Sequence, residues 1–173
     1  VTRLLKRLFD VVIVETVGIG QSELDIRYLA DHVYLVLQPL GGDEIQFLKA
    51  GIIEIPDSFI LNKCDDPAAG QSYYQLRSSL SLARPFDEEL PAIFKTSART
   101  GEGVDAVAAS MLEIAPRHTD ADREQYFFGR WVQDEWGATG RRFCEGRDLL
   151  AAGFDVAQAR FGPAIVEWLQ VTN

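Results

Sequence analysis

The chain has 173 residues, 47% hydrophobic and 25% charged, which suits one globular domain of ordinary size. Its net charge of -9 argues against nucleic acid and anionic membrane surfaces as partners, since both would repel it. No apolar run approaches the roughly 20 residues of a membrane span, and Cys64 and Cys144 offer neither a disulfide framework nor a metal-ligand spacing, so the expected compartment is the cytoplasm.

The N-terminal stretch VTRLLKRLFDVVIVE places basic residues before apolar ones. It is not a signal peptide: the apolar run is short, contains Asp10 and ends at Glu15 without a small-residue cleavage site. The chain opens on Val1 rather than Met, and the expectation is an incomplete or trimmed form, with a processed end as the alternative. Continuous apolar runs then alternate with helical patterns. DVVIVE (Asp10 to Glu15), VYLVL (Val33 to Leu37), FIL (Phe59 to Leu61) and AIF (Ala92 to Phe94) predict strands buried on both faces, hence parallel ones. Crossover helices are predicted over 22–30, 43–54, 69–83 and 103–114. The fold class is α/β with a doubly wound, mostly parallel sheet.

Near His118 the pattern changes to helix alone, predicting two parts, 1–117 and 118–173. Asp120, Asp122 and Glu124 read as a solvated helix start. Phe127, Phe128, Trp131, Val132 and Trp136 share one helical face. That face is more than a two-helix extension is expected to hide, so it predicts a homodimer contact. Glycines 137, 140, 146 and 153 punctuate the C-terminal stretch, and Pro163 is expected to begin or kink the last helix.

Three segments carry chemistry. NKCD, Asn62 to Asp65, follows the strand SFIL, and doubly wound sheets bind ligands at the carboxyl ends of their strands. A carboxylate there can accept both N1–H and N2–H of guanine, a pair that adenine lacks, so Asp65 would select GTP over ATP. Asn62 would tie neighbouring loops together, and the stem of Lys63 would cover the base. A four-residue match also describes a capped turn. TSARTGEG, Thr96 to Gly103, follows the next strand and opens a helix. A backbone N–H at Ser97-Ala98 would reach the guanine O6, and Gly101 and Gly103 would permit the tight turn into the helix. An ordinary strand-to-helix loop is the blander reading, and the order behind NKCD weighs against it. ETVGIGQSE, Glu15 to Glu23, stands at the end of the first strand. Glu15 would hold magnesium through water, and Gly18 would let the backbone approach a γ-phosphate. Thr16, Val17 and Gln21 complete that switch segment. His32 and His118 have no ligand-spaced partners and read as surface or boundary residues, and Trp131 and Trp136 as packing residues.

Together these stretches resemble the MeaB/ArgK-type GTPases, the family of the methylmalonic aciduria A protein. DVVIVETVGIGQSE is similar to that family's switch II segment, where ETVG (Glu15 to Gly18) replaces the usual DxxG. LQPLGGDEIQFLKAGIIEIPDSFILNKCD resembles its PGxGDExQxxKxGIxExxDxxxxNKxD at Pro39, Gly42, Asp43, Glu44, Gln46, Lys49, Gly51, Ile52, Glu54, Asp57, Asn62, Lys63 and Asp65. The likeness covers roughly Phe9 to Ile114 well and Arg123 to Trp136 weakly, and it departs at Leu40-Gly41 and Cys64. It implies a P-loop GTPase that chaperones an adenosylcobalamin-dependent acyl-CoA mutase. It also implies GTP or GDP with magnesium in the parent protein, a third switch over Gly42, Asp43, Glu44, Gln46 and Lys49, and a dimerisation arm at the C-terminus. No GxxxxGK[ST] occurs in the 173 residues. The expectation is therefore an incomplete G domain whose P-loop and switch I precede Val1, with no tightly bound nucleotide and no hydrolysis by this chain alone. Two other classes stay open: a degenerate G domain that binds a partner without hydrolysis, and a nickel-insertion GTPase, which would need a Cys/His cluster.

Overall fold

The computed structural model describes residues 2–16, 23–39, 52–87 and 89–172. The chain divides into two compact units, Val1–Arg117 and His118–Asn173.

In the first unit, helix α1 (Thr2–Leu5) and helix α2 (Glu23–Leu29) precede strand β1 (Tyr34–Leu37). A 3₁₀ turn (Ile52–Glu54), strand β2 (Ser58–Leu61), helix α3 (Ala69–Ala83), strand β3 (Ala92–Lys95) and helix α4 (Val104–Leu112) follow. The strands form a parallel sheet in the order β1-β2-β3, in register at Leu35, Phe59 and Ile93. Only the central strand β2 is covered on both faces, whereas β1 and β3 are part-buried. Leu35, Leu37, Phe59 and Ile93 pack with Leu76 and Leu80 of α3 and with Ile53. The alternate positions Tyr34 and Phe94 face the other way, where the Tyr34 hydroxyl meets Ser110 Oγ of α4 at 2.7 Å. Central β2 is buried along its whole length.

The expected first strand is not formed. Residues 10–16 belong to no strand, and Val11, Ile13 and Val14 are exposed. A strand needs a neighbour to satisfy its backbone groups. Among the described residues, β1 pairs on one side only, with β2. A cavity of about 680 Å³ separates Val11–Thr16 from Val33–Leu37, and Val36 is 59% exposed. The predicted helix over 43–54 lies outside the described residues, except for the 3₁₀ turn.

The opposite, amino-terminal end of the sheet is closed by a charge cluster. Asp57 accepts the Val33 N–H at 2.8 Å, pairs with Arg117 and lies 3.8 Å from Arg27. Asp31 accepts the Arg117 N–H at 3.0 Å. His32 Nε2 meets Ser58 Oγ at 2.9 Å, and burial lowers the His32 pKa against the opposing pull of Asp57.

The second unit is a helical pair, α5 (Asp120–Cys144) and α6 (Phe154–Thr172). Gly137, at φ 56° and ψ -140°, breaks the helical geometry inside α5. Pro163 lies within α6 and does not begin it. The aromatic face of α5 is spent inside the unit: Phe128, Val132 and Phe143 are buried against Ala157, Phe161 and Ile165 of α6, with Trp131, Trp136 and Trp168 packed around them. Most of the face that the sequence assigns to a subunit contact is thus used within the pair, while Phe127 stands outside this cluster.

Thr119 caps α5 in a reciprocal box. Its Oγ1 accepts the Asp122 N–H at 3.1 Å, and the Asp122 carboxylate accepts the Thr119 N–H at 2.9 Å. Thr119→Ala is expected to destabilise this unit by about 1 kcal/mol. Urea denaturation followed by tryptophan fluorescence measures it, and an unchanged midpoint would show that the cap contributes nothing.

Candidate functional site

The parallel register places the ends of β2 and β3 side by side, Leu61 opposite Lys95. The loops leaving these two ends are thereby neighbours, and three backbone bonds join the sheet ends to them. Leu37 O accepts the Asn62 N–H at 2.8 Å, Leu61 O the Thr96 N–H at 2.9 Å, and Thr96 O the Cys64 N–H at 2.8 Å.

Asn62 links both loops through its side chain, whose Oδ1 accepts from Thr96 Oγ1 at 3.3 Å and from the Ala98 N–H at 3.1 Å. Lys63 has φ +59°, a left-handed conformation that costs an L-residue about 1–2 kcal/mol. Such strain concentrates at functional sites. Here the turn lets Asn62 and Asp65, three residues apart, both reach the β3 loop. The Lys63 ammonium donates to Gln38 Oε1 in the loop after β1.

Asp65 is held at both carboxylate oxygens. Ser97 Oγ donates to Oδ1 at 2.6 Å, and Arg99 Nη2 lies 2.6 Å from Oδ2. The Ser97 hydroxyl, then the Arg99 guanidinium, holds the Asp65 carboxyl below its usual pKa, so it is an anion at neutral pH. Ser97 is fully buried, its Oγ accepts the Thr100 N–H at 3.2 Å, and its own N–H donates to Glu102 O at 2.9 Å. Positive φ at Gly101 (81°) and Gly103 (72°) lets this loop turn into α4. Cys64 donates its thiol to Leu61 O at 3.0 Å, and burial raises its pKa.

Asn62, Lys63, Asp65, Ser97 and Ala98 are therefore brought together at the carboxyl end of the sheet. Glu15 and Thr16 are exposed and line the same cavity as Leu37, whose carbonyl holds Asn62. Magnesium takes one or two carboxylates plus waters and phosphate oxygens. Glu15 can supply one such contact through water. Val17, Gly18 and Gln21, and Gly42, Asp43, Glu44, Gln46 and Lys49, which the sequence points to as switch residues, lie outside the described residues. Sequence reasoning did not single out Arg99 or Gln38. Arg99 stands inside the quoted TSARTGEG, but nothing in spacing tells a loop arginine that pairs with Asp65 from a solvated one.

A sequence profile described as methylmalonyl Co-A mutase-associated GTPase MeaB matches residues 3–130. The chain belongs to that family. It is 45% identical over 98 residues to a conjectured GTPase of Pyrococcus horikoshii, a match covering 55% of this chain and 31% of that protein. It is 38% identical over 110 residues to a methylmalonic aciduria type A homolog, mitochondrial, of Mus musculus, covering 61% of this chain and 26% of the other. It is 32% identical over 122 residues to GTPase ArgK of Escherichia coli, covering 68% and 37%. The chain thus spans about a third of the length of the curated relatives it matches. No helix among the described residues is long and apolar enough to cross a membrane.

Proposed function

We propose that this MeaB-family chain carries the guanine-reading half of a G domain. In this reading the whole protein is a GTPase that serves an adenosylcobalamin-dependent acyl-CoA mutase as a chaperone. The observation that carries the reading is the Asp65 carboxylate, anionic and braced by the fully buried Ser97, beside an Asn62 that pins the Ala98 backbone. That carboxylate can accept the N1–H and N2–H of a guanine, and the loop at Ala98 can meet its O6. Glu15 would contribute a water-mediated magnesium contact, and the segment from Gly42 to Lys49 would relay nucleotide state to the mutase. Phosphoryl transfer rests almost wholly on positioning and stabilising the phosphates. The sequence holds no GxxxxGK[ST], so these residues alone provide base contacts without a phosphate cradle.

A nickel-insertion role has less support, because no group of three or more His, Cys, Asp or Glu among the described residues could hold a metal. Homodimerisation through the C-terminal helices also has less support than the sequence lends it, since most of their aromatic face is already packed.

Nuclear magnetic resonance titration of the 173-residue chain tests the reading. GTP is expected to bind in the millimolar range and to shift the amides of Asp65 and Ala98, with ATP inert. Two charge-assisted hydrogen bonds contribute about 3–6 kcal/mol together, offset in part by the cost of immobilising the ligand. Asp65→Asn reverses the donor pattern, so its preference should pass from GTP to xanthosine triphosphate by tens-fold or more. An unchanged preference for GTP in the variant would sink the assignment, and turnover or micromolar binding by this chain would show a phosphate site elsewhere in it.

A further inference from the structure

The two groups that hold Asp65 differ in how easily they can leave. Ser97 is fully buried and fixed by three hydrogen bonds, to Asp65, Thr100 and Glu102. The Arg99 side chain is 77% exposed and reaches Asp65 Oδ2 from the solvent side at 2.6 Å. One carboxylate oxygen is thus tied into the core, and the other is covered by a cation that can swing away.

A guanidinium and a guanine edge look alike to a carboxylate. Each presents N–H donors from a planar group, and the arginine fork matches carboxylate geometry. A guanidinium and a guanine edge that approach the same lone pair of Oδ2 exclude each other. We propose that Arg99 is a latch on the base-reading carboxylate, standing in for guanine when the site is empty and having to be displaced before a base can bind. The proposal rests on the reading of Asp65 as the guanine acceptor.

Energetics allow such a latch. A site whose competent state is only partly populated binds with an apparent affinity reduced by that fraction. An exposed ion pair shifts an equilibrium by only about 1.5- to 5-fold. Arg99 would therefore weaken binding measurably without blocking it, and the pairing would keep the empty carboxylate from attracting stray cations. It would also make base affinity depend on salt, because an exposed pair is screened once the Debye length falls to about 3 Å at 1 M salt.

The test uses nucleosides, whose lack of phosphate removes any attraction between Arg99 and a polyanion. Guanosine is titrated into the 173-residue chain and its Arg99→Ala variant, following the Ala98 and Asp65 amides. The variant is expected to bind guanosine about 1.5- to 5-fold more tightly at low salt, and the gain should vanish at about 1 M salt, where such pairs are screened. In an Asp65→Asn background, adding Arg99→Ala should leave xanthosine affinity unchanged, because the latch needs the carboxylate. A stacking or purely structural role for Arg99 would persist in that background. Equal or weaker guanosine binding by Arg99→Ala, with binding itself retained, overturns the latch and leaves the guanine reading standing. Absence of any guanosine response in both chains overturns the guanine reading and the latch together.

Discussion

Phe161→Ala is expected to destabilise the C-terminal unit by about 3–5 kcal/mol, the usual range for deleting a buried aromatic ring. Phe161 is 2% exposed and stands at the centre of the helical pair. Its ring centroid lies 5.8 Å from Phe128, 5.3 Å from Trp131, 5.7 Å from Trp136 and 5.2 Å from Phe143. Three of these contacts are edge-to-face and the Trp136 contact is tilted, geometries that add to simple burial. Truncation leaves a hole bounded by large rings that cannot easily close over it. All three tryptophans of the chain, Trp131, Trp136 and Trp168, pack in this cluster, so their fluorescence reports its unfolding directly. Phe161→Leu should cost clearly less. A loss below about 1 kcal/mol for the alanine variant, well under the usual range, would mean that the helices are not held by this ring.

The legibility of the chain follows the range of the interactions involved. VYLVL, SFIL and AIF read correctly as parallel strands because each finds its neighbours inside the described sheet. DVVIVE encloses a similar apolar run between Asp10 and Glu15, yet residues 10–16 join no ladder. Composition reports a preference for burial on both faces, whereas a strand also requires a ladder partner on at least one side, which the run cannot announce. The aromatic face of α5 was legible as a face but not as to its partner. Helical period shows which side is apolar, and only the register of Phe161 and Ile165 on α6 shows that the side is filled from within. At the site, NKCD and TSARTGEG were legible as loops because Gly101, Gly103 and the preceding strands fix local geometry. The meeting of Asp65 with Arg99 was not, since an exposed arginine has many rotamers and only the three-dimensional path of both loops brings the two side chains to 2.6 Å.

Gly103 links the stability of the first unit to the loop after β3. It begins α4 at φ +72°, and a Cβ placed there would sit 2.0 Å from Lys95 O, with Lys95 C at 3.1 Å and Thr96 Cα at 3.4 Å. All three are backbone atoms at the end of β3, so no side chain can rotate away to make room. Gly103→Ala therefore combines a left-handed penalty of about 1–2 kcal/mol with an overpacking cost of about 1–3 kcal/mol. Gly101 is the internal control. Its φ is +81°, but a Cβ there meets nothing within 4 Å, so Gly101→Ala should carry the conformational penalty alone. The strain at Gly103 falls on Lys95 and Thr96, whose displacement would carry away the Thr96 carbonyl that holds Cys64 and the Ser97 hydroxyl that holds Asp65. Denaturant titration should show a loss of about 2–5 kcal/mol for Gly103→Ala and roughly half that for Gly101→Ala. Where Gly103→Ala remains folded, its guanosine response at Ala98 should be weakened, while Gly101→Ala keeps it. Equal costs at the two positions would show that the loop after β3 yields freely, and that the close approach of Gly103 to Lys95 does not set the geometry of the site.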